Sequence, residues 1–271
     1  MTKNKKRLVI PNSSVAIRLT RNLVDNFEIY TETPEDCTNL FFKNNADYAL
    51  LSPFEYAVKS DFYNLGIVNS FAISLTDTSK DSILLFSKNK TKISDIAYRK
   101  GFPYESYLTR IIFTENYDTP INFSEFDGDL NEALKTVDAL LLSGDEALEN
   151  SENPSTALLL AEEWFLMTGL PYVSYILVGR SDEIDNDDIS YIKSVFNKQK
   201  EDTENNEEKD EEQLISDVLS SEDDYYEEFE EDEVNYIFEF GEDQKKSIEE
   251  YYNYLFSYSI IENIPDLNLI D

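Results

Sequence analysis

The chain contains no histidine and only one cysteine, and both scarcities limit its chemistry. Histidine is the usual general base and zinc ligand, and Ser-His or Cys-His nucleophilic pairs require it. The single Cys37 can form neither an intramolecular disulfide nor a cysteine metal cluster, and we expect a small core thiol in a helix. Any catalysis must therefore use carboxylates, hydroxyls, lysine, tyrosine or the substrate itself.

Long apolar runs and positive charge are also scarce. No stretch approaches the roughly 18 to 20 apolar residues of a membrane span, and the basic start MTKNKKRLVIPNSS lacks the apolar segment of a signal peptide. We therefore expect a cytoplasmic protein. The net charge of −33 disfavours nucleic acids and anionic membranes as partners, because repulsion would oppose both. No obligate protein partner is evident, and small ligands are not excluded.

About half of the negative charge lies in one segment, residues 201–233, which contains eighteen Asp or Glu and one Lys. This segment has no sustained apolar periodicity. Such a composition is typical of a solvated, largely disordered insertion, and a docking or regulatory segment is the alternative.

The remaining sequence contains enough apolar material for a core, with 41% hydrophobic and 13% aromatic residues. RLVIP at 7–11, FEIYTE at 27–32 and DYALLSP at 47–53 are typical of buried strands, and helical patterns separate them. Strands and helices in this alternating order predict a parallel sheet with right-handed crossovers.

The apolar strands predicted at 82–88 and 172–180 bracket a complete α/β unit. This arrangement predicts an α/β protein with two lobes, in which two extended segments cross between the lobes above a ligand cleft. We assign residues 1–82 and 174–271 to the first lobe, with the acidic insertion inside it. Residues 83–173 form the predicted second lobe.

Two turns follow from local residue chemistry. In ALLLAEEWFLMTGLPYV, a helix predicted at 157–169 ends because Gly169 can adopt a left-handed cap and Pro171 stops the helix. In DALLLSGDEAL, a buried strand ends at Ser143 and Gly144, and Asp145 can cap a helix that begins at Glu146. The alternative is that this turn faces the cleft, since ligands of open α/β sheets gather at the carboxyl ends of strands.

Ser52 and Glu55 follow the strand at 47–53, so either can line the rim of the first lobe. Ser52 is a candidate hydroxyl donor to a ligand. Capping of the following helix is the equally simple alternative for both residues.

Several segments resemble the menaquinone-biosynthesis chorismate dehydratase family (MqnA). AEEWFLMTGLPYV at 161–173 resembles the family's helix-to-hinge signature, and DALLLSGDEAL at 138–148 resembles its strand and turn. Residues 27–57 and 236–255 also resemble family segments. The resemblance covers nearly the whole chain except the acidic insertion.

This resemblance implies a fold like that of type II periplasmic binding proteins, in a cytoplasmic enzyme. The implied reaction removes water from chorismate to give 3-[(1-carboxyvinyl)oxy]benzoate in the futalosine route to menaquinone, with no metal and no organic cofactor. A sister branch of the superfamily uses a histidine base, and the absence of histidine disfavours that branch.

The resemblance also implies site residues. A functional family serine matches Ser82 in KDSILLF. A functional family asparagine aligns with Val15, so we nominate Asn12 in its place. A hydroxyl-rich family loop aligns with RKGFPYE at 99–105, where few hydroxyls remain. The expected substrate contacts, drawn from loops 12–14 and 99–101, the strand end at 52 and the turn at 144–145, are Ser13, Ser14, Ser52, Arg99, Lys100, Gly101, Gly144 and Asp145.

Two functions therefore remain open. The first is a chorismate dehydratase whose carboxylate-binding loops are rebuilt. The second is a catalytically silent small-molecule binding protein that keeps the family cleft.

Overall fold

The structure is a computed structural model that describes residues 5–87, 92–153, 156–207 and 236–271. Most of the predicted acidic insertion, from residue 208 onward, lies outside the described residues. Residues 201–207 are helical and continue the helix that precedes them, and the boundaries of the insertion stay a prediction.

A first sheet contains strands from both ends of the described chain. Its seven described strands are β1 (Lys6–Pro11), β2 (Phe27–Glu32), β3 (Tyr48–Leu51), β4 (Leu65–Leu75), β10 (Tyr172–Arg180), β11 (Tyr236–Ile237) and β12 (Leu269–Ile270). They lie in the order β11-β4-β10-β3-β1-β2, with β12 beside β4. β1 is parallel to β2 and β3, whereas β10 is antiparallel to both β3 and β4.

A second sheet is formed by the middle of the chain. Its five described strands are β5 (Ser82–Phe86), β6 (Asp95–Arg99), β7 (Asn122–Phe126), β8 (Ala139–Ser143) and β9 (Thr156–Leu159). They lie in the order β7-β6-β8-β5-β9. β6 is parallel to β7 and β8, and β5 is antiparallel to β8 and β9.

The helices follow the strands as the sequence predicts for βαβ units. Thr33 and Ser52 cap α2 and α3, and a proline occupies the first turn of each helix, where its missing N–H costs nothing. The described helices are α1 (Ser14–Thr20), α2 (Pro34–Phe42), α3 (Pro53–Tyr63), α4 (Glu105–Tyr117), α5 (Leu130–Ala133), α6 (Asp145–Glu149), α7 (Leu160–Thr168), α8 (Asn186–Glu207) and α9 (Glu242–Ser257).

The helix predicted at 157–169 is shorter than expected. Thr156–Leu159 is strand β9, which pairs with β5, and α7 begins at Leu160. The error arises because a continuous apolar run fits a buried strand and a buried helix equally well. The predicted end is confirmed, since Gly169 is left-handed and its N–H bonds to the carbonyl of Phe165.

Trp164 fixes the place where α7 leads back to the first sheet. Its side chain is fully buried, and its Nε1 donates to the Ser247 hydroxyl at 3.1 Å. That hydroxyl in turn donates to the carbonyl of Pro171 at 2.6 Å, so α7, the turn before β10 and α9 are tied together. Tyr172 and Tyr251 pack edge-on against the indole.

The chain passes between the sheets twice, at residues 76–81 and at residues 169–171. The predicted lobe boundaries at 82/83 and 173/174 stay a prediction. Cys37 is buried in the core of the first sheet, and burial raises the pKa of its thiol to about 12, so the interpretation as a core thiol is confirmed. Among the described helices, none combines the length and the apolar character needed to cross a membrane.

Candidate functional site

Two strand-to-helix turns, one from each sheet, meet face to face. The Ser14 N–H and hydroxyl, just after β1, donate to the Asp145 carboxylate at 3.0 and 2.8 Å. Asp145 is the first residue of α6 and does not cap it; Gly144 occupies the cap position. The capping interpretation of Asp145 is therefore wrong, because the carboxylate turns toward the donors of the opposite lobe.

Gly144 gives this turn a positive φ, which residues with a side chain rarely adopt. Its φ is +62°, and a Cβ there would lie 3.7 Å from the Ser13 Cβ and 3.9 Å from an oxygen of the Asp81 side chain. Ser13 accepts a hydrogen bond from the Ala16 N–H and caps α1. The predicted residues Ser13, Ser14, Gly144 and Asp145 thus come together.

Ser82 lies at the start of β5, next to this junction. It is 1% exposed, and its hydroxyl has no hydrogen-bond partner in the described part of the chain. In the antiparallel pair of β5 and β8 it stands opposite Ser143. A buried hydroxyl without a partner is costly to the fold, and such groups are typical of ligand sites.

Two acids that the sequence analysis missed surround Ser82 and Ser143. Glu105 begins α4 and is buried, and burial raises the pKa of its carboxyl group to about 7, while a hydrogen bond with Ser143 acts in the opposite direction. Burial, followed by the charges of Glu105 and Asp145, raises the pKa of Asp81 well above its ordinary value. The available signals were position alone: Asp81 precedes Ser82, and Glu105 closes the 99–105 loop.

Two buried hydroxyls of the first sheet, those of Ser74 on β4 and Tyr236 on β11, have no hydrogen-bond partner among the described residues. Burial, then the charge of Asp81, raises the pKa of Tyr236. Tyr172 and Tyr175 on β10 have pKa values raised by burial and then by Glu105. Eighteen scattered tyrosines gave the sequence analysis no means of selecting these three.

Ser52 has a structural contact. Its hydroxyl accepts from the Glu55 N–H at 3.2 Å and caps α3. The pKa of Glu55 is raised overall, because burial raises it by more than a hydrogen bond with Tyr104 of the second lobe lowers it. The Tyr104 hydroxyl also lies 2.9 Å from the Thr38 hydroxyl, so Tyr104 joins the two lobes. Ligand contact by Ser52 stays a prediction.

The 99–101 loop contacts protein on both sides. Arg99 forms an ion pair with Glu146, and its guanidinium lies 4.3 Å from the centre of the Phe126 ring. Lys100 is exposed. Gly101 has a φ of +90°. A Cβ added to it would lie 3.0 Å from the Thr33 side chain in the first lobe. Gly101 therefore lies close to protein, and a ligand contact by any of the three residues stays a prediction.

The two candidates after β1 differ in position. Asn12 is exposed at the carboxyl end of β1, where its backbone N–H donates to the Glu32 carbonyl at 2.8 Å. Val15 is buried in the core on α1. Asn12 is thus the residue of this pair that can present an amide to the cleft, and its catalytic role stays a prediction.

Comparison with known proteins identifies a family and solved structures that are similar over nearly the whole chain. A family model described as menaquinone biosynthesis matches residues 14–257. No curated protein matches the chain. Protein AF1704 from Archaeoglobus fulgidus is 14% identical, with a TM-score of 0.64 over 96% of this chain and 100% of that one. An ABC transporter from Parabacteroides distasonis is 11% identical, with a TM-score of 0.63 over 99% of each chain.

At these identities the likenesses show the fold alone. They extend over both sheets and confirm the predicted fold class, a two-lobed α/β fold of the periplasmic-binding-protein type. The order β2-β1-β3-β10-β4, with β10 returning antiparallel after the second sheet, places the carboxyl ends of β1 and β3 at the junction of the lobes.

Proposed function

Because the chain belongs to the menaquinone-biosynthesis family, we propose that it removes water from chorismate in the cytoplasm and releases 3-[(1-carboxyvinyl)oxy]benzoate. The reaction is a hydro-lyase step of the futalosine route. It needs no metal and no organic cofactor. The substrate lies between the two sheets, against the turns that follow β1 and β8.

The buried Ser82 hydroxyl is the observation that carries this proposal. It is polar, 1% exposed and without a partner among the described residues, at the junction of both lobes. A substrate oxygen that binds there removes the cost of leaving the hydroxyl unpaired. The Ser14 N–H and hydroxyl, which now hold Asp145, are further donors for a substrate carboxylate.

Elimination of water needs a base, and the chain contains no histidine. In the proposed mechanism a carboxylate of the substrate itself, or a bound water, removes the proton. The protein holds the substrate in the reactive orientation and excludes bulk water by closing the lobes. Ser82 orients the substrate, and Asn12 supplies an amide at the end of β1.

The test is a chorismate assay on the purified protein that follows substrate loss and product formation by mass-resolved chromatography. We expect turnover in the native chain and a loss of about a hundredfold in Ser82→Ala. Ser124→Ala is the matched control, because Ser124 is an exposed strand serine of the same sheet. Absence of turnover in the native chain, together with absence of thermal stabilisation by chorismate, would falsify the proposal.

A catalytically silent binding protein is the second candidate. It is favoured by the buried Val15 at the position aligned with the family asparagine and by Glu105 in the loop that replaces the family hydroxyls. This candidate predicts that chorismate or another small carboxylate stabilises the protein and is recovered unchanged. The same assay distinguishes the two candidates.

A further inference from the structure

Glu105 occupies a central position in the cleft that the proposed reaction does not explain. It is the first residue of α4, it is 6% exposed, and its carboxyl group lies close enough to Ser143, at the end of β8, for that hydroxyl to lower its pKa. Ser143 is paired in turn with Ser82 on β5. The carboxyl group is therefore one side chain away from the hydroxyl that we assign to substrate binding.

The titratable groups that face Glu105 come from three elements. Asp81 lies on the connection between β4 and β5, Tyr172 and Tyr175 lie on β10, and Tyr251 lies on α9. All four are acidic or neutral. Burial raises the pKa of Glu105 to about 7, so neutral and ionised forms coexist near physiological pH.

Two further charged groups border this cluster. Asp145 faces Asp81, and Arg18 faces Tyr236. The positive charge of Arg18 is therefore directed to the Tyr236 side of the cluster. A bound carboxylate near Ser82 would meet the negative charge of Glu105 whenever that group is ionised.

An acidic cluster alone does not make a ligand site, but here buried hydroxyls accompany it. Ser82 and Tyr236 each carry a buried hydroxyl without a partner among the described residues. Tyr236 is close enough to Asp81 for that charge to raise the pKa of the phenol, and Ser82 follows Asp81 in the chain, so these two hydroxyls border the same acids. The fold leaves them unpaired, which points to a polar ligand at this place.

We infer that Glu105 is a specificity-determining residue of the cleft: its neutral carboxyl group donates a hydrogen bond to a carboxylate of the substrate, so that a substrate that binds when Glu105 is ionised brings one proton from solvent into the protein. The inference deepens the proposed function and rests on it. Its physical basis is that two carboxyl groups in hydrogen-bond contact share a proton, because two negative charges at that distance repel strongly.

When Glu105 is ionised, its charge weakens the binding of an anion in the cleft. When Glu105 is protonated, this repulsion is absent and the anion binds. Chorismate keeps its own carboxylates ionised above about pH 5, since ordinary carboxyl groups titrate near pH 4. Proton uptake on binding is therefore a property of the protein. Affinity should be constant at low pH and should fall about tenfold for each pH unit above about 7.

The experiment is calorimetric titration of the reaction product, which keeps both carboxylates and is not turned over, into the full chain from pH 5.5 to 8.5, in buffers of different ionisation enthalpy. Comparison of the buffers gives the number of protons taken up. Glu105→Gln keeps a neutral N–H donor in place of the acid. Glu149→Gln, an exposed residue at the end of α6, is the matched control.

We expect uptake of about one proton by the native chain at pH 8 and pH-independent binding by Glu105→Gln. At pH 8.5 this variant should bind about thirtyfold more tightly than the native chain, and Glu149→Gln should match the native chain. Native binding with no proton uptake would overturn the inference and leave the proposed function intact. Absence of binding at every pH, in all three proteins, would overturn both. The proton count on the native chain does not depend on how the variants fold.

Discussion

The two ends of the second sheet carry buried acids of equal exposure in opposite electrostatic situations. Asp138, before β8, and Glu105, beyond its carboxyl end, are each 6% exposed. One oxygen of Asp138 accepts hydrogen bonds from the Ser94 N–H, the Ser94 hydroxyl and the Asp95 N–H, at 3.0 to 3.1 Å. For Glu105, burial outweighs the bonds from its own N–H and from Ser143.

Asp138 is therefore a group that stabilises the fold, whereas Glu105 is a buried group that lowers its stability. Asp138 ties the loop before β6 to β8, and three donors compensate the desolvation of its charge. Glu105 and the Ser82 hydroxyl are not compensated in this way. Function is expected where buried polar groups at the carboxyl edge of a sheet lower the stability of the fold.

The largest expected effect comes from removing the well-bonded acid. Asp138→Ala leaves two part-buried backbone N–H groups without their acceptor, and we expect a loss of about 3 kcal/mol in the free energy of unfolding. Chemical denaturation measures it. Asp95→Ala is the control, since Asp95 is exposed and should cost less than about 1 kcal/mol. Equal losses in the two variants would show that the Asp138 contacts carry no special weight.

Glu105, in contrast to Asp138, should lower the stability of the fold when it is ionised, so the free energy of unfolding should depend on pH. Its folded pKa, about 7, lies above the unfolded value of 4.5, so the folded chain binds more protons between these values and its stability falls as pH rises through 7. We expect a loss of about 2 to 3 kcal/mol between pH 5 and 8 from this group. Asp81, whose pKa is also raised, adds a loss of the same sign.

Glu105→Gln should therefore be more stable than the native chain at pH 8 and close to it at pH 5. Denaturant unfolding at several pH values measures the slope, and Asp81→Asn in the same background should reduce it further. A slope that survives both substitutions would mean that other groups titrate on unfolding. Stability of the native chain that rises from pH 5 to 8 would contradict the assignment of Glu105 as a costly buried acid.

The elements of the fold were largely predictable because they depend on local pattern. Pro34 and Gly169 mark helix ends, and FEIYTE matches β2 without error. The exceptions have physical causes. Thr156–Leu159 is a strand that pairs with the edge of β5. β4 begins at Leu65, whereas the sequence FAISL predicts a strand only at 71–75, because Asn69 and Ser70 interrupt the apolar pattern before it.

The site was less predictable, because its members come from distant parts of the chain. Ser82 was found through its family resemblance, whereas Glu105 and Tyr236 have no local signal that distinguishes them from other acids and tyrosines. Asp145 shows the same limit. Its position favoured a helix cap, and only the meeting of two turns reveals that it bonds to Ser14, 131 residues away.

Gly101 tests the contact between the carboxyl edge of the second sheet and the first lobe. Gly101→Ala places a methyl group 3.0 Å from Thr33 at φ of +90°, and we expect a loss of about 2 kcal/mol in unfolding free energy. Gly128 has the same φ with nothing within 4 Å, so Gly128→Ala should lose only the backbone contribution, about 1 kcal/mol. Identical losses would remove any role for the contact with Thr33.

The smallest expected effect concerns the pair that joins the two lobes. Ser14 and Asp145 form an exposed contact, so each of Ser14→Ala and Asp145→Ala should cost about 1 kcal/mol or less. Their double variant should cost less than the sum, with a coupling of about 0.5 kcal/mol, because each substitution removes the same hydroxyl-to-carboxylate bond. Denaturant unfolding of the four proteins gives the coupling. Strict additivity would mean that this hydroxyl bond contributes nothing in solution, and the carboxyl edge would then be held to the first lobe by the bond from the Ser14 N–H to Asp145 and by the contacts of Gly101 and Tyr104.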